Sequence, residues 1–122
     1  MKKILLVEDE KLLAEMYAEK FSQAGFEVTI VKEAEEALET IKNVKPDLIV
    51  LDILLPRADG ISFLQKMREQ PDFAFIPVVA FSNFDDPATK KAAFRLGVKD
   101  YLIKTNYTPH EIIEKIKGYI KD

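Results

Sequence analysis

Short runs of consecutive apolar residues alternate along this chain with longer segments in which apolar residues recur every three or four positions. An unbroken apolar run is typical of a strand that is buried on both faces of a sheet. The pattern predicts five such strands, at residues 4–7, 28–31, 48–51, 76–81 and 101–103.

The segments between these runs have the periodicity of amphipathic helices and carry helix start and stop residues. The inner face of the first helix is predicted to begin at Leu12, and that of the fifth to extend to Ile120. The start and stop signals are Gly25 after the first helix, Pro46 after the second, Asp59 before and Pro71 after the third, Asp86-Pro87 before and Gly97 after the fourth, and a capping box at residues 108–111 before the fifth.

Strand and helix therefore alternate five times, with no internal repeat and no linker. Buried strands separated by helices indicate a parallel sheet that is covered on both faces. Because crossover connections are right-handed, we expect a doubly wound α/β sandwich formed by a single domain over residues 1–122.

Composition excludes several classes of function. The 122 residues include no cysteine and a single histidine, His110, which excludes disulfides, thiolate nucleophiles and multi-histidine metal sites. A net charge of −3 argues against nucleic-acid binding. No apolar run approaches the roughly 20 residues that span a bilayer, so a soluble cytoplasmic domain without membrane contact is expected.

Polar residues follow four of the five predicted strands. In open α/β sheets, functional sites form beyond the carboxyl ends of the strands, so these residues are expected to meet at one edge. They are Glu8, Asp9 and Glu10 after the first strand, Asp52 after the third, Ser82 after the fourth and Lys104 after the fifth.

Clustered carboxylates repel one another unless a cation intervenes, and Mg²⁺ is the cation that hard oxygen ligands favour. Asp9 and Asp52 are predicted to be direct ligands, with Glu8 binding directly or through water. A carboxylate beside Mg²⁺ can attack phosphorus, while Lys104 and Ser82 would contact phosphoryl oxygens. The set suits phosphoryl transfer to Asp52.

Each of these residues has a plainer interpretation when taken alone. An acid at a strand end is usually a helix cap or solvated, Ser82 a turn residue and Lys104 a surface lysine. The basic residues Lys90, Lys91 and Arg95 are more typical of a solvated helix face than of a docking surface. For the strand-end residues, it is their joint occurrence at one sheet edge that favours a functional role.

These motifs also have the spacing of a known family. Leu6-Val7-Glu8-Asp9-Glu10 resembles its acidic pair, and Asp52 has a proline four and a glycine eight residues later, Pro56 and Gly60. Ser82 lies 30 residues beyond Asp52, and Lys104 lies three beyond Tyr101. From residue 2 to residue 120, the chain resembles the receiver domain of two-component response regulators, including the stand-alone chemotaxis type.

The resemblance implies a flavodoxin-like fold with strand order 2-1-3-4-5 and a phosphorylation switch rather than an enzyme. A histidine kinase, phosphotransfer protein or small phosphodonor would phosphorylate Asp52, with Mg²⁺ held by Glu8, Asp9, Asp52 and the backbone carbonyl of Leu54. Ser82 would then move toward the phosphoryl oxygen, and Tyr101 would turn inward into the space vacated. These movements would reshape the face of the fourth helix, fifth strand and fifth helix for a downstream protein. The resemblance implies a monomer or a phosphorylation-dependent dimer, with no output domain in this chain.

Three departures from the family pattern concern the site. Thr105 follows Lys104 where the family often has proline, and Asn83 follows Ser82 where a small residue is usual. Leu54 and Phe84 are apolar at positions that, with Asn83, tune hydrolysis in the family, so slow loss of phosphate is expected.

Other functions remain as alternatives. A receiver-like interaction module that works without phosphorylation is the first, although the complete set of site residues argues against it. A flavodoxin would need a Ser/Thr-rich phosphate loop after the first strand, and an aspartate-nucleophile phosphatase would need Asp-x-Asp there; neither is present.

Overall fold

The fold was analysed in a computed structural model that describes residues 1–55 and 59–120. Its elements in chain order are β1 (Lys3–Val7), α1 (Lys11–Gln23), β2 (Glu27–Val31), α2 (Ala34–Val44), β3 (Leu48–Leu51), α3 (Gly60–Glu69), β4 (Val78–Ser82), α4 (Pro87–Arg95), β5 (Asp100–Ile103), a 3₁₀ turn (Lys104–Asn106) and α5 (Pro109–Lys117).

The five strands form one parallel sheet in the order β2-β1-β3-β4-β5. This arrangement confirms the predicted doubly wound α/β fold and its strand order. The order reverses direction between β1 and β3, so α1 and α3 leave the sheet on opposite faces. A crevice therefore opens at the carboxyl ends of these two strands.

Side chains of each strand alternate between two hydrophobic cores. In β1, Leu5 and Val7 face the core under α2, α3 and α4, whereas Ile4 and Leu6 face the core under α1 and α5. Because both faces are covered, the strands show the unbroken apolar runs from which they were predicted.

The structure confirms the capping residues that were predicted at the starts of α3, α4 and α5. Asp59 Oδ1 accepts a hydrogen bond from the Ser62 amide at 2.7 Å, and Asp86 caps α4 in the same way. At the start of α5, Thr108 and Glu111 form the reciprocal capping box. Gly25, which follows α1, has φ +99°, a conformation that favours glycine.

Three details of the predicted pattern are wrong. β4 begins at Val78 rather than at residue 76, because Pro77 has no amide hydrogen to donate to the sheet. α5 ends at Lys117, and Ile120 packs on the core from outside the helix. Leu12 is 78% exposed: it lies two positions before buried Ala14, roughly 200° around the helix.

None of the helices within residues 1–55 and 59–120 has the length and apolar character needed to cross a membrane.

Candidate functional site

Four strand ends bring polar side chains together at the carboxyl edge of the sheet. Glu8 follows β1, Asp52 follows β3, Ser82 closes β4 and Lys104 follows β5. Among the described residues, Glu8, Asp52 and Ser82 are the polar or charged side chains that are buried. Burial of polar groups is costly unless they are paired, so their concentration at one edge marks a site.

The ammonium group of Lys104 joins the two buried acids. Its Nζ donates to Glu8 Oε1 and, at 3.0 Å, to Asp52 Oδ2, while lying 5.5 Å from the centre of the Phe81 ring. The Lys104 side chain is only 10% exposed. A positive charge in this position can stabilise negative charge that develops on a group bound to Asp52.

Carboxylates outnumber this cation. Oxygen atoms of Glu8, Asp9 and Asp52 lie within 4.8 Å of one another, with Asp9 exposed and the other two buried. Three carboxylates facing one ammonium leave an excess of negative charge. Hard oxygen donors at this spacing, open to solvent on the Asp9 side, fit a magnesium ion that keeps part of its water shell.

Burial and the ion pairs act in opposite directions on the two buried partners. Burial raises the pKa of Glu8, although its hydrogen bonds to Lys104 and to the Glu10 amide oppose this rise. For Lys104, burial disfavours the charged form, but the hydrogen bond to Glu8 and the charge of Asp52 outweigh it, so its pKa lies above the usual value. The ion pairs with Glu8 and Asp52 therefore favour the charged form of Lys104 despite its burial.

The backbone turns back on itself after each of these strands. Glu8, Asp52 and Ser82 each accept a hydrogen bond from the amide two residues later, at 3.1, 3.1 and 3.2 Å respectively. Such turns fix the side-chain oxygen relative to the strand end. Asp52 Oδ1 is thus held by the Leu54 amide and Oδ2 by Lys104.

The segment after Asp52 returns very close to it. The Gly60 amide donates to the Ile53 carbonyl at 2.7 Å, and a Cβ on Gly60 would lie 2.7 Å from the Asp52 carbonyl oxygen. Only glycine fits this approach. Pro56, which belongs to the same predicted motif, lies outside the described residues.

Tyr101 is buried beside the site. Its hydroxyl donates to the Phe84 carbonyl at 2.6 Å, and burial together with the charges of Asp52, Asp85 and Asp86 raises its pKa to about 12, against a hydrogen bond with Ser82. The ring of Tyr101 is therefore packed inward in this structure.

The chain matches the family described as "Response regulator receiver domain" over residues 4–117. It belongs to that family.

Two solved structures share the fold of this receiver domain. The BeF₃-activated N-terminal receiver domain of Klebsiella pneumoniae RstA is 26% identical, with a TM-score of 0.88 over 99% of this chain and 100% of that one. The Mn²⁺-bound form of response regulator Rcp1 is 27% identical, with a TM-score of 0.84 over 97% and 93%.

Among curated proteins, the alkaline phosphatase synthesis transcriptional regulatory protein PhoP of Bacillus subtilis (strain 168) is 32% identical over 98% of this chain and 49% of its own length. The chain spans about half the length of the curated relatives it matches.

Sequence reasoning predicted the residues that the receiver-domain site brings together, but not all of their neighbours. It grouped Lys90 with Lys91 and Arg95, whereas the structure pairs Lys90 with Asp85 and places its Nζ 5.9 Å from the centre of the Tyr101 ring. It also missed Phe81 beneath Lys104. No local sequence pattern predicts these contacts, because each lysine lies on a different element from the aromatic ring that it contacts.

Proposed function

We propose that this receiver domain is a phosphoacceptor switch that takes a phosphoryl group from a histidine kinase, phosphotransfer protein or small phosphodonor onto Asp52. The observation that carries the proposal is the contact of Asp52 Oδ2 with the ammonium group of Lys104, whose side chain is almost entirely shielded from solvent. A structural ion pair would balance its charges, whereas this cluster has more carboxylates than cations.

The transfer is a displacement at phosphorus. An Asp52 carboxylate oxygen forms the new oxygen–phosphorus bond while the bond from phosphorus to the donor breaks, and the donor leaves with the electron pair. The ammonium group of Lys104 binds a phosphoryl oxygen and stabilises the negative charge on that oxygen during the transfer. The oxygen of Ser82 accepts from the Phe84 amide, and its hydroxyl hydrogen would turn from Tyr101 to a second phosphoryl oxygen.

Glu8, Asp9, Asp52 and the backbone carbonyl of Leu54 are the proposed magnesium ligands. When bound, Mg²⁺ neutralises the excess carboxylate charge and polarises the phosphoryl group. The Mn²⁺-bound form of the similar Rcp1 supports a divalent ion in this family of sites.

Phosphorylation would then alter the partner-binding face formed by α4, β5 and α5. Ser82 and Tyr101 link Asp52 to this face, since the Tyr101 hydroxyl holds the Phe84 carbonyl in the loop before α4. The loop before α4 and the Tyr101 side chain would thus have two arrangements, and the added charge on Asp52 would favour one of them. The proposed setting is the cytoplasm, with a downstream protein as partner and a monomer or phosphorylation-dependent dimer as the assembly.

The test is modification by acetyl phosphate, followed by mass spectrometry with and without Mg²⁺. We expect Mg²⁺-dependent addition of one phosphoryl group to the wild type and none to Asp52→Asn. Asp59→Asn is the matched control, because Asp59 caps α3 at an exposed position and asparagine caps equally well. No labelling of the wild type would support the phosphorylation-independent interaction module instead, and equal labelling of Asp52→Asn would show that another residue accepts the phosphoryl group.

Leu54, Asn83 and Phe84 are proposed to slow hydrolysis of the phosphorylated form. Leu54 and Phe84 are 52% and 38% exposed next to Asp52 and Ser82, where apolar side chains exclude water. The decay of labelled protein in Mg²⁺ tests this, because Phe84→Glu is expected to decay faster than the wild type. Equal decay rates would show that the shielding does not operate.

A further inference from the structure

The residue after Ser82 is hydrogen bonded to the residue after Lys104. The Thr105 amide donates to the side-chain oxygen Oδ1 of Asn83 at 3.2 Å. The β4–β5 pairing ends one step earlier, at Ser82 and Ile103. This bond, here called the clasp, therefore extends the contact between the two strand ends by one residue, with a side chain in place of a backbone carbonyl.

The clasp lies directly after Lys104 in the chain. Lys104 begins a 3₁₀ turn of three residues, and its side chain reaches the site on a flexible four-carbon stem. The sheet fixes Ile103 on one side of Lys104, and the clasp fixes Thr105 on the other. The start of the stem is thus held from both directions.

The other end of the clasp lies inside a second ordered turn. Asn83 lies between Ser82 and Phe84, whose amide donates to Ser82 Oγ at 3.2 Å. The clasp thus connects the turn that carries the Ser82 hydroxyl to the turn that carries the Lys104 ammonium. A shift of either turn changes the distance between these two phosphoryl-binding groups.

We propose that Asn83 is a positioning residue, which acts through the Thr105 amide to hold Lys104 and Ser82 at the spacing that one phosphoryl group on Asp52 requires. This inference rests on the proposed phosphoacceptor function. It assigns Asn83 a role in binding the phosphoryl group and none in binding the metal, since the candidate ligands Glu8, Asp9 and Asp52 follow β1 and β3.

Calorimetric titration with beryllofluoride in saturating Mg²⁺, and separately with Mg²⁺ alone, tests the inference. We expect Asn83→Ala to weaken beryllofluoride binding about three- to tenfold, the value of one hydrogen bond, while Mg²⁺ affinity stays within about twofold of the wild type. Thr105→Pro, which removes the amide hydrogen, should have the same effect. The double variant should be no worse than either single variant.

Thr105→Ala is the matched control, because it alters the side chain but keeps the amide hydrogen, and wild-type affinity is expected. Unchanged beryllofluoride affinity in Asn83→Ala, a parallel loss of Mg²⁺ affinity, or additive effects in the double variant would overturn the inference. If Thr105→Pro fails to fold, as thermal unfolding would show, Asn83→Ala against Thr105→Ala still decides. Failure of the wild type to bind beryllofluoride in Mg²⁺ would instead overturn the proposed function.

Discussion

Each edge of the sheet holds a cation that is at least partly buried, but the partners of the two cations differ. At the carboxyl edge, Lys104 lies between the carboxylates of Glu8 and Asp52. At the amino edge, Arg68 of α3 donates to backbone carbonyls that precede β4 and β5, at 2.8–3.3 Å. These carbonyls belong to Ala74, Ile76, Leu96 and Gly97.

The partners determine what each edge can do. Burial lowers the pKa of Arg68, because carbonyl dipoles carry no countercharge. Burial also disfavours charged Lys104, but its ionised partners raise the pKa overall. The Arg68 cluster joins three chain segments through backbone carbonyls and brings no carboxylate to the cation, so it stabilises the fold. The Lys104 cluster keeps an excess of carboxylate, which supports the proposed uptake of a divalent ion and a phosphoryl group there.

Removing the cation from the carboxyl edge should have the largest effect. We expect Lys104→Ala to slow phosphorylation of Asp52 by acetyl phosphate about 10²- to 10³-fold, since a preorganised charge at the transferred group is lost. Mg²⁺ affinity should stay the same or rise, because no ammonium then competes for Glu8 and Asp52. Labelling kinetics and Mg²⁺ titration measure the two quantities, and a parallel loss of both would contradict the separate role of Lys104.

Removing the cation from the amino edge should instead cost stability. We expect Arg68→Met to lower the free energy of unfolding by about 2–4 kcal/mol, because several half-buried carbonyls lose their donors. Arg68→Lys should recover only part of this, since one ammonium cannot match the planar guanidinium. Denaturant unfolding measures both variants. A change in the Mg²⁺ affinity of folded Arg68→Met would show that the two edges are coupled.

A pair of glycine substitutions compares the same two edges through the backbone. Gly60→Ala is expected to cost about 1–3 kcal/mol, because its Cβ would lie 2.7 Å from the Asp52 carbonyl, and also to weaken Mg²⁺ binding. Gly25→Ala, with φ +99° and open space around it, should cost about 1 kcal/mol without affecting Mg²⁺. Equal effects on Mg²⁺ affinity would contradict the assignment of Gly60 to the site.

Acidification should weaken Mg²⁺ binding gradually. Because burial raises the pKa of Glu8, this carboxyl takes up a proton at a higher pH than the usual 4.5 and then no longer serves as an anionic ligand. Mg²⁺ affinity is therefore expected to fall about tenfold per pH unit below that pKa. Calorimetry across the acidic range measures the midpoint. Glu8→Gln is the control and should lack it, and the same pH dependence in Glu8→Gln as in the wild type would show that Glu8 is not a ligand.

Much of the fold follows from local pattern. The apolar runs predicted five strands and the capping residues predicted the helix starts, because both signals act within one element. Errors occurred at the ends of elements: Leu12 lies in the first turn of α1 with its side chain exposed, and Ile120 lies beyond the end of α5. The site was predictable for a different reason: Asp52, Ser82 and Lys104 each come directly at or after a strand end, and parallel strands bring those ends together.

The contacts that could not be predicted all join side chains to distant backbone or to neighbouring loops. Arg68 binds carbonyls up to 29 positions away, and the Asn83–Thr105 bond spans 22. Nearly every residue has a backbone carbonyl and a backbone amide, so the sequence does not indicate which of them a given side chain will bind.

The order of apolar runs, caps and strand-end acids was by itself enough to determine the sheet, its helical cover and the edge at which charge collects, since these follow from periodicity and chain direction. Tertiary structure alone decided that Lys104 would neutralise part of the carboxylate cluster, that Arg68 would be satisfied by carbonyls and that Tyr101 would pack inward. Each of these depends on distances of a few ångströms between groups that only packing brings together.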